Sequence, residues 1–380
     1  MVVGPAKELV PLHAPEFAQG ERELVIDCLN SSFVSSVGKY VDQFEAMLAE
    51  FTGARRAVAV VNGTAALEVA LSVAGVCSGD EVIVPALSFV ATANAVLHCG
   101  AIPHFVDSDA NTLGIDPLAL EDYLGSIGDV SSGCLRNRVS GRRISAVVPM
   151  HTFGHPVDMV KLMAVAGRFN LPVVEDAAES LGSHIANRHT GTFGLMGVLS
   201  FNGNKIVTTG GGGAILTNDH ALADRLKHLT TTAKRPHRWE FFHDEVAWNF
   251  RMPNLNAALG CAQLARLPDF LARKRVLAER YAAATAGCSG FSFMTEPAGT
   301  KGNYWLNTIQ LNESDRSARD RVLEATNDAG YQCRPVWSLL SGLPMFDKYP
   351  RSELRVAQHL ENSLINLPSS PVLAKSGGAS

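Results

Sequence analysis

Leu171-Pro172-Val173-Val174-Glu175-Asp176 is a short apolar run that ends in two carboxylates, and it decides how the rest of the chain is read. Such a run reads as a buried strand with an acid at its carboxyl end. Some thirty residues on, Ser200-Phe201-Asn202-Gly203-Asn204-Lys205 follows the apolar Gly197-Val198-Leu199 and sets a lysine on a Gly/Asn-rich loop. A strand-end Asp176 and a loop Lys205 are the two groups needed to work pyridoxal phosphate. The amine bonds the aldehyde, and the acid keeps the pyridine nitrogen protonated so that the ring accepts electrons.

Working outward, short apolar runs alternate with amphipathic segments from residue 57 onward. Strands are predicted at 57–61, 81–84, 102–106, 144–150, 172–175, 198–201 and 213–217. Helices are predicted at 64–74, 92–98, 117–125, 157–169 and 221–228, with two earlier ones at 21–30 and 40–51. Strand and helix in repetition mark an α/β domain with a mainly parallel sheet, whose ligands sit at the strands' carboxyl ends. The stretch 126–143, polar and rich in Ser, Gly and Arg, reads as an exposed loop insertion, and 230–244 as a long polar loop. The organisation expected is a large domain over 1–254, a helical link over 255–286, a smaller α+β domain over 287–373 and a disordered tail over 374–380. In the smaller domain, 305–311 reads as a strand and 315–327 as a helix.

Composition excludes several classes. Hydrophobic residues make up 46% and charged residues 18% of the 380, an ordinary globular balance. A formal net charge of −4 gives no reason to expect a nucleic-acid partner. The seven cysteines are scattered and odd in number, which suits a reducing, cytoplasmic setting better than a disulfide framework. No apolar run approaches the roughly 18 residues of a membrane span, and residues 1–10 do not resemble a signal peptide. Gly210–213 lacks the spacing of a phosphate-binding P-loop, and no GxGxxG occurs. His151 and His155 are four apart, but Gly154 and Pro156 break a helix there, so no metal site is expected. The arginines at 136, 138, 142 and 143 read as a solvated loop.

Four elements are candidates for chemistry. At Asn62-Gly63-Thr64-Ala65 a strand ends and a helix begins, so unpaired N–H groups face outward as an anion site. A capped helix end with no ligand would look the same. Phe89, in Pro85-Ala86-Leu87-Ser88-Phe89, can stack on a flat ring or simply pack in the core. Asp176 can meet a pyridinium or cap a helix, with Glu179 one turn on. Ser200 is spaced to reach a phosphate, and Lys205 is either a desolvated nucleophile or a surface charge.

Taken together, five stretches in order give the chain a resemblance to the DegT/StrS-type sugar aminotransferases, a branch of the fold-type I pyridoxal phosphate enzymes. They are NGTAALEVAL at 62–71, SFVATANAV at 88–96, VVEDAAESLGS at 173–183, SFNGNKIVTTGGGGAILTND at 200–219 and WNFRMPNLNAALGCAQL at 248–264. The stretches at 31–45, 147–156, 227–245 and 334–346 look like the subgroup that aminates C4 of UDP-4-keto-6-deoxy-N-acetylhexosamines in bacillosamine and legionaminic-type pathways.

The resemblance implies an α/β fold-type I transferase and a transamination from L-glutamate to a sugar nucleotide. It implies that Lys205 bonds the cofactor and shuttles a proton, that Asp176 pairs with the ring nitrogen, and that Gly63, Thr64, Ala65 and Ser200 hold the phosphate. It implies that Phe89 covers the ring and that Asn249 reaches the phosphate of the other subunit of a homodimer. Glu179 stands where many relatives carry Gln near the cofactor's 3-oxygen. His237, Arg238 and Tyr304 are the candidates for the substrate. Alternatives are amination at C3, a TDP- or GDP-linked sugar, and a binding module without turnover. A sister branch of dehydratases carries His in place of the lysine, and Lys205 argues against it.

Overall fold

The computed structural model describes residues 4–131 and 133–374. Two helices, α1 (Gln19–Ser31) and α2 (Lys39–Thr52), precede the first strand of a mixed sheet. That sheet is built from β1 (Arg56–Val60), β2 (Glu81–Pro85), β3 (Ile102–Val106), β4 (Gly128–Ser131), β5 (Cys134–Asn137), β6 (Arg143–Val147) and β7 (Val174–Asp176). After the short pair β8 (His184–Ile185) and β9 (Arg188–His189) come β10 (Met196–Ser200) and β11 (Gly213–Thr217).

Two hydrogen-bonded blocks, β1-β11-β10-β7 and β3-β2-β6-β5-β4, are joined by parallel bridges Val147–Val173 and Met150–Asp176. β10 runs parallel to β7, and β2 parallel to both β3 and β6. β11 lies antiparallel between β1 and β10. Its first residue, Gly213, therefore meets the last residues of its neighbours, Val60 and Ser200. The strands are nearly continuous apolar runs because helices cover both faces. α3 (Gly63–Val73), α4 (Val90–His98), α5 (Pro117–Ile127), α6 (Met159–Arg168) and α7 (His220–Thr230) supply the cover. The α/β architecture is the one expected, with a parallel centre and antiparallel neighbours in β11 and the β4–β5 hairpin, and the strands predicted at 102–106 and 213–217 match to the residue.

One segment differs from expectation. The stretch 126–143 is not a free loop: β4 and β5 form an antiparallel hairpin that extends the sheet along β6. The buried carboxylate of Glu81 fastens it, accepting from Asn137 at 2.9 Å and Ser140 at 2.6 Å. A polar sequence hid the hairpin because its anchor lies on another strand. The loop at 230–244 likewise carries a two-rung ladder between β12 (Lys234–Arg235) and β13 (Phe242–His243).

α8 (Asn254–Thr285) runs for 32 residues and packs on α1 and α2. Beyond it, β14 (Phe291–Phe293), β15 (Thr300–Lys301), β16 (Asn307–Leu311), β17 (Arg334–Pro335) and β18 (Leu364–Leu367) appear, with α9 (Arg316–Asp328) and α10 (Arg355–Ser363). Four of them form an antiparallel sheet ordered β14-β16-β18-β17 over a small core of Ile309, Leu311, Cys333 and Ile365. β15 instead pairs with β8 of the larger part. Of the expected tail, 375–380 lies outside the described residues, and Ala374 closes a 3₁₀ turn. All seven cysteines are free thiols. No helix among the described residues is long and apolar enough to cross a membrane.

Candidate active site

Side chains alternate faces along a strand, so Glu175 and Asp176 part company at the end of β7. Asp176 enters a cavity of about 300 Å³ at the strands' carboxyl ends. Its main chain is fixed by N–H donation to Pro149 O at 2.8 Å and by acceptance from His151 N at 3.1 Å. Thr92 of α4 donates its hydroxyl to Oδ2 at 2.7 Å, and Ala178 N–H reaches Oδ1 at 3.2 Å. Asp176 thus closes a turn and caps no helix. Burial pushes its carboxyl above the ordinary carboxylate range, against the pull of Thr92, Ala178 and the Lys205 charge. A buried carboxylate in this state is matched by a cationic ring nitrogen.

Glu175 serves the structure. Its oxygens accept from the N–H groups of Gly191 at 2.7 Å, Phe193 at 2.6 Å and Gly194 at 2.7 Å, with His151 Nε2 at 3.1 Å. His151 Nδ1 accepts from Val157 N–H at 3.1 Å, so both of its nitrogens are in use.

Lys205 turns inward from the loop after β10, with its side chain 11% exposed. Its Nζ lies 3.1 Å from Glu179 Oε1 and 4.0 Å from the centre of the Trp305 ring. Glu179 is held in turn by Phe153 N–H, which donates to Oε2 at 2.9 Å. Phe153 takes a left-handed φ of 55°, a strained state for a bulky residue, and this aims its N–H at the carboxylate. Burial raises the Glu179 carboxyl, and the neighbouring Lys205 ammonium offsets part of that rise. Glu179 follows a turn and not a helix, so it reaches the cavity through the tertiary fold.

The opposite end of the cavity is built for an anion. Asn62 caps α3, its Oδ1 accepting from Ala65 N–H at 2.8 Å. Gly63 and Thr64 open the helix, and N–H groups in a helix's first turn have no carbonyl one turn back. Ser200 lines the same wall. A Cβ on Gly63 would come within 3.3 Å of Ser200 Oγ, and one on Gly213 within 2.6 Å of the Asn62 carbonyl carbon. The Asn62 main chain leaves no room for a side chain at Gly213, while at Gly63 a Cβ would press on the Ser200 side chain. Ala65 differs from expectation, because its N–H is already taken by Asn62.

Phe89 stands at the mouth, 47% exposed, its ring 6.2 Å from that of Trp337. Trp305 and Trp337 complete the apolar walls. Thr92, Trp305 and Trp337 were not singled out by sequence, and Asn62 only as part of the turn before α3. Trp337 lies inside the 334–346 stretch that carried the resemblance, and the scarcity of tryptophan, four in the chain, was the available signal.

Other candidates lie elsewhere. His237, Arg238 and Asn249 are exposed and do not line this cavity. Tyr304 is buried away from it, with its hydroxyl accepting from Glu296 N–H at 3.3 Å and its ring 5.5 Å from that of His155. A larger groove of about 800 Å³ between 109–118 and 293–300 contains neither Lys205 nor Asp176. Lys205, Asp176 and Ser200 meet in the smaller cavity, which is therefore the candidate site.

Residues 15–377 match the model of the DegT/DnrJ/EryC1/StrS aminotransferase family. The chain is 36% identical to a GDP-perosamine synthase of Escherichia coli O157:H7, over 96% of this chain and 94% of that protein. It is 34% identical to the enzyme of the same name from Caulobacter vibrioides, over 95% and 93%. Among solved structures, the aminotransferase TlmJ of Streptoalloteichus hindustanus superposes with a TM-score of 0.85 at 28% identity, over 95% of this chain and 93% of that one.

Proposed function

Because the chain belongs to the DegT/DnrJ/EryC1/StrS aminotransferase family, we propose that it carries an amino group from L-glutamate to C4 of a nucleotide-linked keto sugar. The cofactor is pyridoxal phosphate. When bound, it supplies an aldehyde carbon for the amine and a ring that takes up electrons. The cavity fits that group at three points. Asp176 is a buried carboxylate without a full cationic partner, Gly63 and Ser200 form a cradle that a Cβ would fill, and Lys205 points its amine between them.

In this reading Asp176 holds a proton on the ring nitrogen, and Thr92 keeps that carboxylate in place. Gly63, Thr64 and Ser200 bind the phosphate. Phe89 covers one face of the ring at the mouth. Glu179 holds the Lys205 amine inside the cavity, where Lys205 Nζ can take a proton from the substrate carbon and return it. Trp305 and Trp337 keep water from the amine. The observation that carries the proposal is the meeting of Lys205, Glu179 and Asp176 in one cavity that ends on a helix N-terminus.

A GDP-linked sugar stands first as substrate, because relatives aligned along almost their whole length are named GDP-perosamine synthases. The sequence stretches at 31–45 and 227–245 favour a second reading, a UDP-linked 4-keto-6-deoxy-N-acetylhexosamine. A homodimer is part of the proposal. Trp239, Phe241 and Phe242 are 68%, 79% and 59% exposed on the hairpin preceding Asn249, an apolar patch suited to a second copy.

The test is the visible spectrum of the cofactor-loaded protein before and after L-glutamate, followed by GDP- and UDP-linked keto sugars in turn. Bleaching by glutamate and recovery with one sugar series support the reading and choose the nucleotide. A band indifferent to glutamate would remove the amino donor, and an unaltered Lys205→Ala spectrum would remove Lys205.

A further inference from the structure

Lys274 sits within α8 with no exposed surface. Burying an ammonium without a carboxylate is costly, and burial drives Lys274 down from its ordinary value to about 7. Its amine donates to two main-chain carbonyls, Ser369 O at 2.6 Å and Trp305 O at 3.1 Å. A methionine would fill similar space without that cost. The two hydrogen bonds are therefore what the lysine adds.

The Trp305 bond leads to the active-site loop. Trp305 donates its indole Nε1 to Asn204 O at 2.8 Å, and Asn204 precedes Lys205. The face of that indole is the surface on which the Lys205 amine rests, 4.0 Å above the ring centre. Trp305 N–H donates to Asn303 Oδ1 at 2.7 Å, so the residue is held at its amide, its carbonyl and its ring. On the far side, Ser369 N–H donates to Leu12 O at 2.6 Å and ties in the N-terminal strap. His13 on that strap is kept neutral by burial first, then by the charges of Lys274 and Lys205.

We propose that Lys274 is a positioning residue for the Lys205 amine. Its hydrogen bond to the Trp305 carbonyl fixes the indole plane beneath that amine, and so sets how the amine meets the cavity. The inference rests on the aminotransferase reading above. It goes beyond that reading by assigning a role to a residue that lines no part of the site.

The experiment compares wild type, Lys274→Met, Lys274→Gln and Trp305→Leu, with the double variants. Far-UV circular dichroism checks the fold. The pH midpoint of the visible band and the rate of cofactor loading read the amine. Lys274→Met should shift the midpoint by about 0.5 pH unit or more and slow loading by about tenfold. Lys274→Gln, which keeps a donor, should recover part of both. In the Trp305→Leu background Lys274→Met should add nothing.

An unchanged midpoint and loading rate in Lys274→Met, or full additivity with Trp305→Leu, overturns the proposal. If Lys274→Met does not fold, Lys274→Gln combined with Trp305→Leu decides by the same non-additivity. A wild-type protein with no visible band after loading would sink the aminotransferase reading alone. The near-UV tryptophan signal of the cofactor-free protein then decides for Lys274: a change in Lys274→Met that Lys274→Gln partly reverses supports the proposal, and none in Lys274→Met overturns it.

Discussion

Glu175 and Asp176 are adjacent in sequence, yet their carboxylates answer to different partners. Asp176 faces the cavity and Thr92, while Glu175 is wrapped by three N–H groups and His151. Alternation along β7 separates an acid that lines the cavity from a structural one.

Thr92→Val should loosen the cofactor without unfolding the chain. The variant keeps the shape of the side chain and removes the donor to Asp176 Oδ2. A hydrogen bond to a charged group is worth roughly 1.5–3 kcal/mol, so affinity should fall about tenfold or more. Titration of cofactor into the cofactor-free protein, followed by absorbance, measures it. Equal affinity would free Asp176 from dependence on Thr92.

Gly63→Ala should weaken phosphate binding selectively. Its Cβ would press on Ser200 Oγ at 3.3 Å, inside the proposed cradle. Alanine suits the first turn of a helix, so stability should change by less than about 1 kcal/mol. The Kd for cofactor should rise about tenfold or more, and the protection that inorganic phosphate gives against loading should weaken in parallel. A rise for the cofactor with no change for phosphate would move the phosphate elsewhere.

Glu175→Gln should destabilise the fold by about 3 kcal/mol or more. The amide would present N–H groups to donors that now face a carboxylate, leaving buried groups unsatisfied. Urea unfolding of the cofactor-free protein reads the loss directly. A loss below about 1 kcal/mol would mean the three N–H groups find other partners.

Acid should destabilise the protein from below pH 6.5, through buried imidazoles. Burial lowers His155 to about 4 and His189 to about 3. A histidine whose folded value is depressed contributes stability that is whole above its unfolded value of about 6.5 and is lost as pH falls toward the folded value. Each such group costs about 1.4 kcal/mol per pH unit in that window. Among the described residues neither ring nitrogen of His155 has a hydrogen-bond partner, so His155→Leu removes its share without breaking a bond. The variant's unfolding free energy should fall less steeply between pH 6.5 and about 4.5. An identical slope would show that His155 does not titrate on unfolding.

Much of the site was legible because each motif is local. The turn after β1, the acid closing β7 and the loop lysine after β10 are strand ends, and strand ends in a parallel sheet share one edge. Residues 126–143 were misread because Glu81, the group that makes a hairpin of them, lies 56 positions from Asn137 and 59 from Ser140. Tyr304 looked like a substrate contact, but a left-handed φ of 48° and the packing of His155 turn it from the cavity while Trp305 beside it enters.

The sequence by itself determined the alternation of strands and helices, the family and the identity of Lys205 and Asp176, since each depends on residue type and short spacing. Only the tertiary structure decided what surrounds the amine. Glu179 faces Lys205 because a turn at Phe153 aims an N–H at its other oxygen. Trp305 lies under the amine because α8 and Asn204 hold it there. Contacts between segments 26 to 101 residues apart follow from how the sheet and α8 pack, and no local pattern encodes them.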